Sequence, residues 1–122
     1  MNRVLDSVIL IDHFNGVPAA TDFLARWASE CAISAITRAE VLTGFEEADW
    51  AAPMMLLAHF PVLPVDAAVA DEAARLRRQY RWKLPDALQA AFAITRGLRL
   101  VTRNTRDFPP ARFGFVEVPY LL

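Results

Sequence analysis

Leu84-Pro85-Asp86-Ala87-Leu88-Gln89-Ala90-Ala91-Phe92-Ala93-Ile94-Thr95-Arg96-Gly97-Leu98-Arg99-Leu100-Val101-Thr102 decides the fold. Pro85 suits a helix's first turn, where its missing N–H is no loss and its fixed φ is already helical. Gly97 is a natural stop, because glycine takes the left-handed position after a helix without a Cβ clash. Leu98 to Thr102 then reads as a strand. A helix thus feeds directly into a strand, the repeating step of an α/β fold.

Working upstream, Asp66 caps a long helix whose apolar stripe is Val69, Ala73, Leu76 and Tyr80. Its other faces carry Arg75, Arg77 and Arg78. Val62-Leu63-Pro64-Val65 is strand-like, and its proline places it near a sheet edge or strand end. Glu46 to Phe60 reads as helical with Pro53 in a first turn. Thr37 reads as the cap of a helix carrying Val41, Leu42 and Phe45, with Glu40 at capping-box spacing. Cys31-Ala32-Ile33-Ser34 is a strand-sized run, and Pro18 to Ser29 is a helix with Phe23, Leu24 and Trp27 on one stripe. Val4-Leu5 ends at Asp6, and Ser7 opens a short helix that closes at Asn15-Gly16. Downstream, Phe115 to Val118 is a last strand. This alternation predicts an α/β fold with a parallel sheet covered on both faces. With no repeat or linker, residues 1–122 read as one domain.

Composition narrows the class. The chain has 122 residues, 55% of them hydrophobic and 22% charged, with a formal net charge of -1. That length can bury a sizeable core without staples. The one cysteine, Cys31, excludes an intramolecular disulfide and a cysteine-rich zinc site, and points to a reduced, cytoplasmic setting. No membrane or export segment is expected. The apolar stretch Ala51 to Val65 is short and broken by prolines, and Asp6 and Asp12 interrupt the N-terminal apolar run. A mean hydropathy of +0.24 is high for a small domain and points to apolar surface buried against another chain. Trp50, Met54, Met55, Leu56 and Phe60 are the candidates for that surface. Charge is uneven: residues 1–61 hold 3 basic and 8 acidic residues, and residues 62–122 hold 10 basic and 6 acidic. Arginine forks suit phosphate oxygens, although a solvated helix face accounts for the same charges.

Several chemistries are excluded. Glycines at 16, 44, 97 and 114 form neither a GxGxxG nor a Walker loop, and there is no GxSxG elbow. His13 and His59 have no ligand pattern around them and read as ordinary surface or packed histidines. A phosphoacceptor receiver domain also places acids at strand ends, but it needs a lysine after a late strand. Lys83, the only lysine, precedes a helix instead.

What remains is a set of acids near strand ends, where open parallel sheets bind ligands. Asp6 follows the first strand, Glu40 lies on the helix after the second, and Asp86 is in the first turn of the helix before the fourth. Asp107 follows that strand, beside Asn104. Crowded carboxylates repel, and a hard divalent cation with all-oxygen ligation, Mg2+ or Mn2+, relieves them. Each acid also has a purely structural reading. Asp6 and Asp86 suit helix starts, Glu40 completes a capping box, and Asp107 holds a turn.

Four segments in order resemble the motifs of PIN-domain ribonucleases: Val4-Leu5-Asp6-Ser7, with the apolar run to Asp12; Ile36-Thr37-Arg38-Ala39-Glu40-Val41-Leu42-Thr43-Gly44; Leu84-Pro85-Asp86-Ala87; and Leu100-Val101-Thr102-Arg103-Asn104-Thr105-Arg106-Asp107-Phe108. Over nearly the whole chain the pattern is similar to the VapC toxins of type II toxin–antitoxin modules. Ser7 stands where the family often has threonine, which keeps the hydroxyl. The resemblance implies a PIN-like three-layer sandwich and an acidic pocket of Asp6, Glu40, Asp86 and Asp107, supported by Asn104 and Thr102. It further implies one or two Mg2+ ions on Asp6, Asp86 and Asp107, with Glu40 acting through water or orienting the nucleophile. The implied activity is endoribonucleolytic cleavage of structured RNA, often tRNA or ribosomal RNA, under control of a VapB-like antitoxin. A homodimer is expected as well. The alternative is a non-catalytic PIN-like binding module.

Overall fold

A computed structural model describes all residues 1–122. Five strands form one sheet: β1 (Arg3–Leu5), β2 (Cys31–Ser34), β3 (Val62–Leu63), β4 (Arg99–Val101) and β5 (Val116–Glu117), in the order β3-β2-β1-β4-β5. Every neighbouring pair is parallel. Val4 stands opposite Ala32 on one side and Leu100 on the other.

Six α-helices cover the sheet: α1 (Ser7–Phe14), α2 (Pro18–Trp27), α3 (Ala35–Thr43), α4 (Ala51–Leu57), α5 (Ala67–Tyr80) and α6 (Leu84–Arg96). Side chains alternate along each strand, so neighbouring residues enter different cores. Val4 and Leu100 pack with α5 and α6, around Val69, Ala73, Leu76, Phe92 and Phe108. Leu5, Ile33 and Val101 pack instead against Ile9, Leu10, Phe23, Leu24, Val41 and Leu57 of α1 to α4. The three-layer sandwich with a parallel centre therefore holds. Proline-bearing Val62–Leu63 forms an edge strand, Asp66 caps α5 through the Val69 N–H, and Gly97 ends α6 at φ 65°.

Three local expectations change. Thr37 is not a cap: α3 starts earlier, with Ser34 extended at its N-cap and the Ser34 hydroxyl accepting the Thr37 N–H at 3.1 Å. Thr37 lies inside the helix because its own hydroxyl is committed to the Leu5 carbonyl across the sheet. The helix expected over Glu46 to Phe60 divides into a 3-10 turn, Glu47–Asp49, and the short α4. A continuous helix from Glu46 would set Pro53 in its interior, unable to donate to the carbonyl four residues back. Starting at Ala51 keeps Pro53 in the first turn. Finally, Phe60 is core, at 5% exposure, and Trp50 and Leu56 are half-buried, so of the proposed interface residues only Met54 and Met55 face solvent. Helix α2 ends at Trp27, and a 3-10 turn over Ala28–Glu30 delivers the chain to β2.

Candidate active site

The strand order reverses at β1, which has β2 on one side and β4 on the other. Such a switch point leaves a crevice beyond the carboxyl ends of the two strands. Asp6 and Thr102 are the first residues past those ends. Asp6 continues the backbone ladder, its N–H donating to the Val101 carbonyl at 2.9 Å. Its carboxylate caps α1, with Oδ1 accepting the Ser7 N–H at 2.9 Å, while Oδ2 accepts the Thr102 hydroxyl at 2.6 Å. The capping and site readings of Asp6 are thus compatible. The group is 8% exposed and held at both oxygens.

Thr102 also accepts the Asn104 N–H at 3.0 Å. Asn104 in turn donates its side-chain amide to Asp107 Oδ2 at 2.9 Å and accepts the Asp107 N–H at 3.3 Å. A continuous hydrogen-bonded path therefore runs from Asp6 through Thr102 and Asn104 to Asp107. The Trp82 indole N–H fixes the same loop by donating to the Asp107 carbonyl at 3.1 Å.

Asp86 enters from the opposite layer, in the first turn of α6, and is partly buried. Burial chiefly, then the charges of Asp6, Asp107 and Glu40, push its carboxyl up from 3.8 to about 6, with Lys83 opposing. All four acids therefore share one electrostatic neighbourhood. Glu40 is the most open of them. Its carboxyl is raised by desolvation and by Asp6, and the Ser7 hydroxyl offsets part of that rise.

No three carboxylates stand close enough to form a ready-made metal cage. The donor set nonetheless fits a hard cation, since Mg2+ keeps several waters and uses only one or two protein carboxylates. Burial first, and repulsion from neighbouring acids after it, raise Asp86 and Glu40, and the repulsion opposes tighter convergence.

Two supporting arrangements escaped the sequence reading. Ser34 donates to Gln89 Oε1 at 2.7 Å, Gln89 donates to the Thr37 hydroxyl at 2.7 Å, and Thr37 donates to the Leu5 carbonyl at 3.0 Å. This wholly buried ring joins β1, β2, α3 and α6, the elements that carry Asp6, Glu40 and Asp86. Its signal was Gln89, the one polar side chain between Asp86 and Thr95. The second is a clamp on Asp12. Arg103 grips its carboxylate with two hydrogen bonds, at 2.6 and 2.9 Å, and the Tyr120 hydroxyl adds one at 2.8 Å. The Arg103 hydrogen bond first, and Tyr120 after it, hold Asp12 below the usual carboxylate range against the opposing effect of burial. Arg103, although in a motif, is thus occupied structurally. His13 bonds Thr21 at 2.8 Å, Cys31 is buried in β2, and neither joins the site.

The largest cleft, about 740 Å³ along α2, holds none of the four acids. A smaller one of about 220 Å³ opens beside Asp107.

A family profile described as PIN domain matches residues 3–113. The chain is 38% identical to Ribonuclease VapC10 of Mycobacterium tuberculosis, over 87% of its length and 85% of that protein's. It is 33% identical to Ribonuclease VapC19 of the same organism, over 97% and 99%. Among solved structures, a toxin-antitoxin complex from Klebsiella pneumoniae superposes with a TM-score of 0.88 at 36% identity, covering 98% of this chain and 99% of that one.

Proposed function

This chain belongs to the VapC ribonucleases of the PIN-domain family, and from that premise we propose that it cleaves RNA phosphodiester bonds at the pocket of Asp6, Glu40, Asp86 and Asp107. The observation that carries the reading is the crevice beyond β1 and β4, where Asp6 is held at both oxygens and linked through Thr102 and Asn104 to Asp107, with the Asp86 carboxyl pushed to about 6 by burial and by the charges of the other three acids. Crowding of this kind disfavours a purely structural role, because repulsion works against the fold.

Asp6, Asp86 and Asp107 would hold Mg2+, with Mn2+ as a substitute, while Glu40 and Asn104 complete the catalytic set. When bound, the cation places positive charge on a phosphate oxygen and lowers the pKa of a water. Asp6 is oriented at both oxygens by Ser7 and Thr102, so it offers a fixed donor. Asn104 holds Asp107 toward the crevice. Glu40, raised and open, is suited to take a proton from an attacking water. A cognate VapB-like antitoxin restrains the activity, by analogy with the complex the chain resembles. No helix is long and apolar enough to cross a membrane, and the protein works where RNA is, in the cytoplasm. Met54 and Met55, exposed on α4, support a homodimer whose test is light scattering at micromolar concentration.

The deciding experiment sequences RNA 5′ ends after brief expression of this chain and of Asp6→Ala. New ends that appear only with the parent support the reading. Identical profiles leave the alternative, a non-catalytic PIN-like module, which calorimetry with Mn2+ then checks by the absence of binding.

A further inference from the structure

Three arginines, Arg81, Arg106 and Arg112, line one cleft beside the acidic pocket. Arg81 ends α5 in the left-handed conformation, at φ 60°, and is the only non-glycine residue with positive φ. Glycine is favoured there because any Cβ is strained. The chain accepts that strain and keeps a long cationic side chain, which lines the 220 Å³ cleft beside Asp107. Arg106, 87% exposed, and Arg112 line the same cleft. Arg106 reaches Asp107 Oδ1 only at 3.8 Å, and neither Arg81 nor Arg112 forms an ion pair with a carboxylate. Arg77 nearby is different, because it donates to the Trp82 carbonyl.

The aromatic residues of the cleft are not free to stack on a base. Tyr80 is stacked on Trp82 at 4.6 Å, and the Arg112 guanidinium lies 5.2 Å from the Tyr80 ring centre and 5.3 Å from that of Phe113. The rings therefore hold Arg112 in place. What the cleft presents is three guanidinium forks, that of Arg112 fixed by the rings and that of Arg106 open to solvent, and such forks match phosphate oxygens.

We propose that Arg81, Arg106 and Arg112 form a subsite for a phosphodiester flanking the scissile one, so that RNA is gripped on the Asp107 side of the pocket. The inference rests on the ribonuclease reading above and adds which residues set the path of the strand. Such contacts supply affinity and register without reading sequence.

The test is fluorescence anisotropy of a short labelled single-stranded RNA, without divalent metal, over a range of salt concentrations. Arg81→Gly and Arg112→Gln should each weaken binding about three- to tenfold and flatten the log–log salt slope by about 0.7, the value of one phosphate contact on a single strand. Cleavage by both variants should show a raised KM with kcat little changed. Arg81→Gly should melt no lower than the parent, which separates lost contact from lost fold. Arg75→Gln, outside the cleft, serves as the control. Unchanged affinity in both variants overturns the subsite, as does an equal loss in the control. Antitoxin binding lost with RNA affinity intact also overturns it. A parent protein that neither binds nor cuts RNA brings down the ribonuclease reading itself, a result distinct from the others.

Discussion

The Thr102 hydroxyl donates a 2.6 Å hydrogen bond to Asp6 Oδ2, joining residues 96 positions apart at the ends of adjacent parallel strands. Thr102 is fully buried, so its hydroxyl serves only Asp6 and the Asn104 N–H. Thr102→Val should leave Asp6 Oδ2 and the Asn104 N–H without that partner, with Asp6 Oδ1 still held by the Ser7 N–H, and lower stability by about 1.5–3 kcal/mol. Cleavage should fall at least tenfold, and Thr102→Ser should recover most of it. Melting curves and a cleavage assay read the two effects, and parental activity in Thr102→Val would contradict the role.

Asp86→Asn separates charge from shape. In the metal-free protein the folded-state carboxyl sits at about 6 against 3.8 unfolded. A raised acid penalises the fold progressively as pH climbs from 3.8, fully above 6. That displacement is worth on the order of 3 kcal/mol at most, and solvent screening and a lost helix-dipole interaction of roughly 0.3–1 kcal/mol reduce it. The amide should therefore stabilise the metal-free protein by about 1–2 kcal/mol at pH 8. It should do nothing favourable at pH 4. Cleavage should collapse, and Mg2+ should no longer raise the melting temperature. An Asp86→Asn protein that cuts at the parent rate removes this residue from the site.

The same ionisation governs the pH profile. Cleavage by the parent should decline as pH drops through about 6, because the neutral Asp86 carboxyl is a poor metal ligand. Raising Mg2+ should move the midpoint lower, since metal and proton compete. A profile flat down to pH 4.5 argues against Asp86 as a ligand.

Gln89→Leu opens the buried ring and removes the 2.7 Å acceptor of the Ser34 hydroxyl and the 2.7 Å donor to the Thr37 hydroxyl, leaving only the 3.5 Å contact between the two hydroxyls. Because the two hydroxyls can still pair weakly with each other, a loss of about 1–3 kcal/mol is expected, the cost of one unsatisfied buried group. Mg2+ should still stabilise the variant, because the acids are intact. A denaturant series with and without Mg2+ separates this outcome from a direct role in metal binding.

Arg103→Ala strands the buried Asp12 carboxylate, leaving only Tyr120 to serve it. A loss of about 2–4 kcal/mol is expected near neutral pH, below the roughly 3–5 kcal/mol of a fully buried pair because the Arg103 side chain is 30% exposed. The sign of its pH dependence follows from Asp12 lying below 3.8 in the fold. Its contribution is present above 3.8 and disappears as pH falls toward the folded value. The gap between parent and variant should therefore narrow below about pH 4, as acid titrations of both would record.

Local chemistry determined much of this protein. Pro85, Asp66 and Gly97 act on the residues beside them, so helix ends were legible, and the apolar runs at Cys31–Ser34 and Leu98–Thr102 located strands. Asp6, Asp86 and Asp107 stood out because each follows a strand or opens a helix, whereas Glu40, the sixth residue of α3, was marked only by its motif and by a capping-box spacing that the fold does not use. Other features depend on partners distant in the chain. Thr37 has the right spacing for a cap, yet the carbonyl of Leu5 claims its hydroxyl and Ser34 takes the cap instead. Asp12 resembled a stray acid until the fold brought Arg103 and Tyr120 to it. Phe60 resembled interface until the core of Leu24, Ile33 and Leu57 took it in. Hydrogen bonds and burial across the sheet belong to pairs of residues, and only the assembled strand order decides which pairs exist.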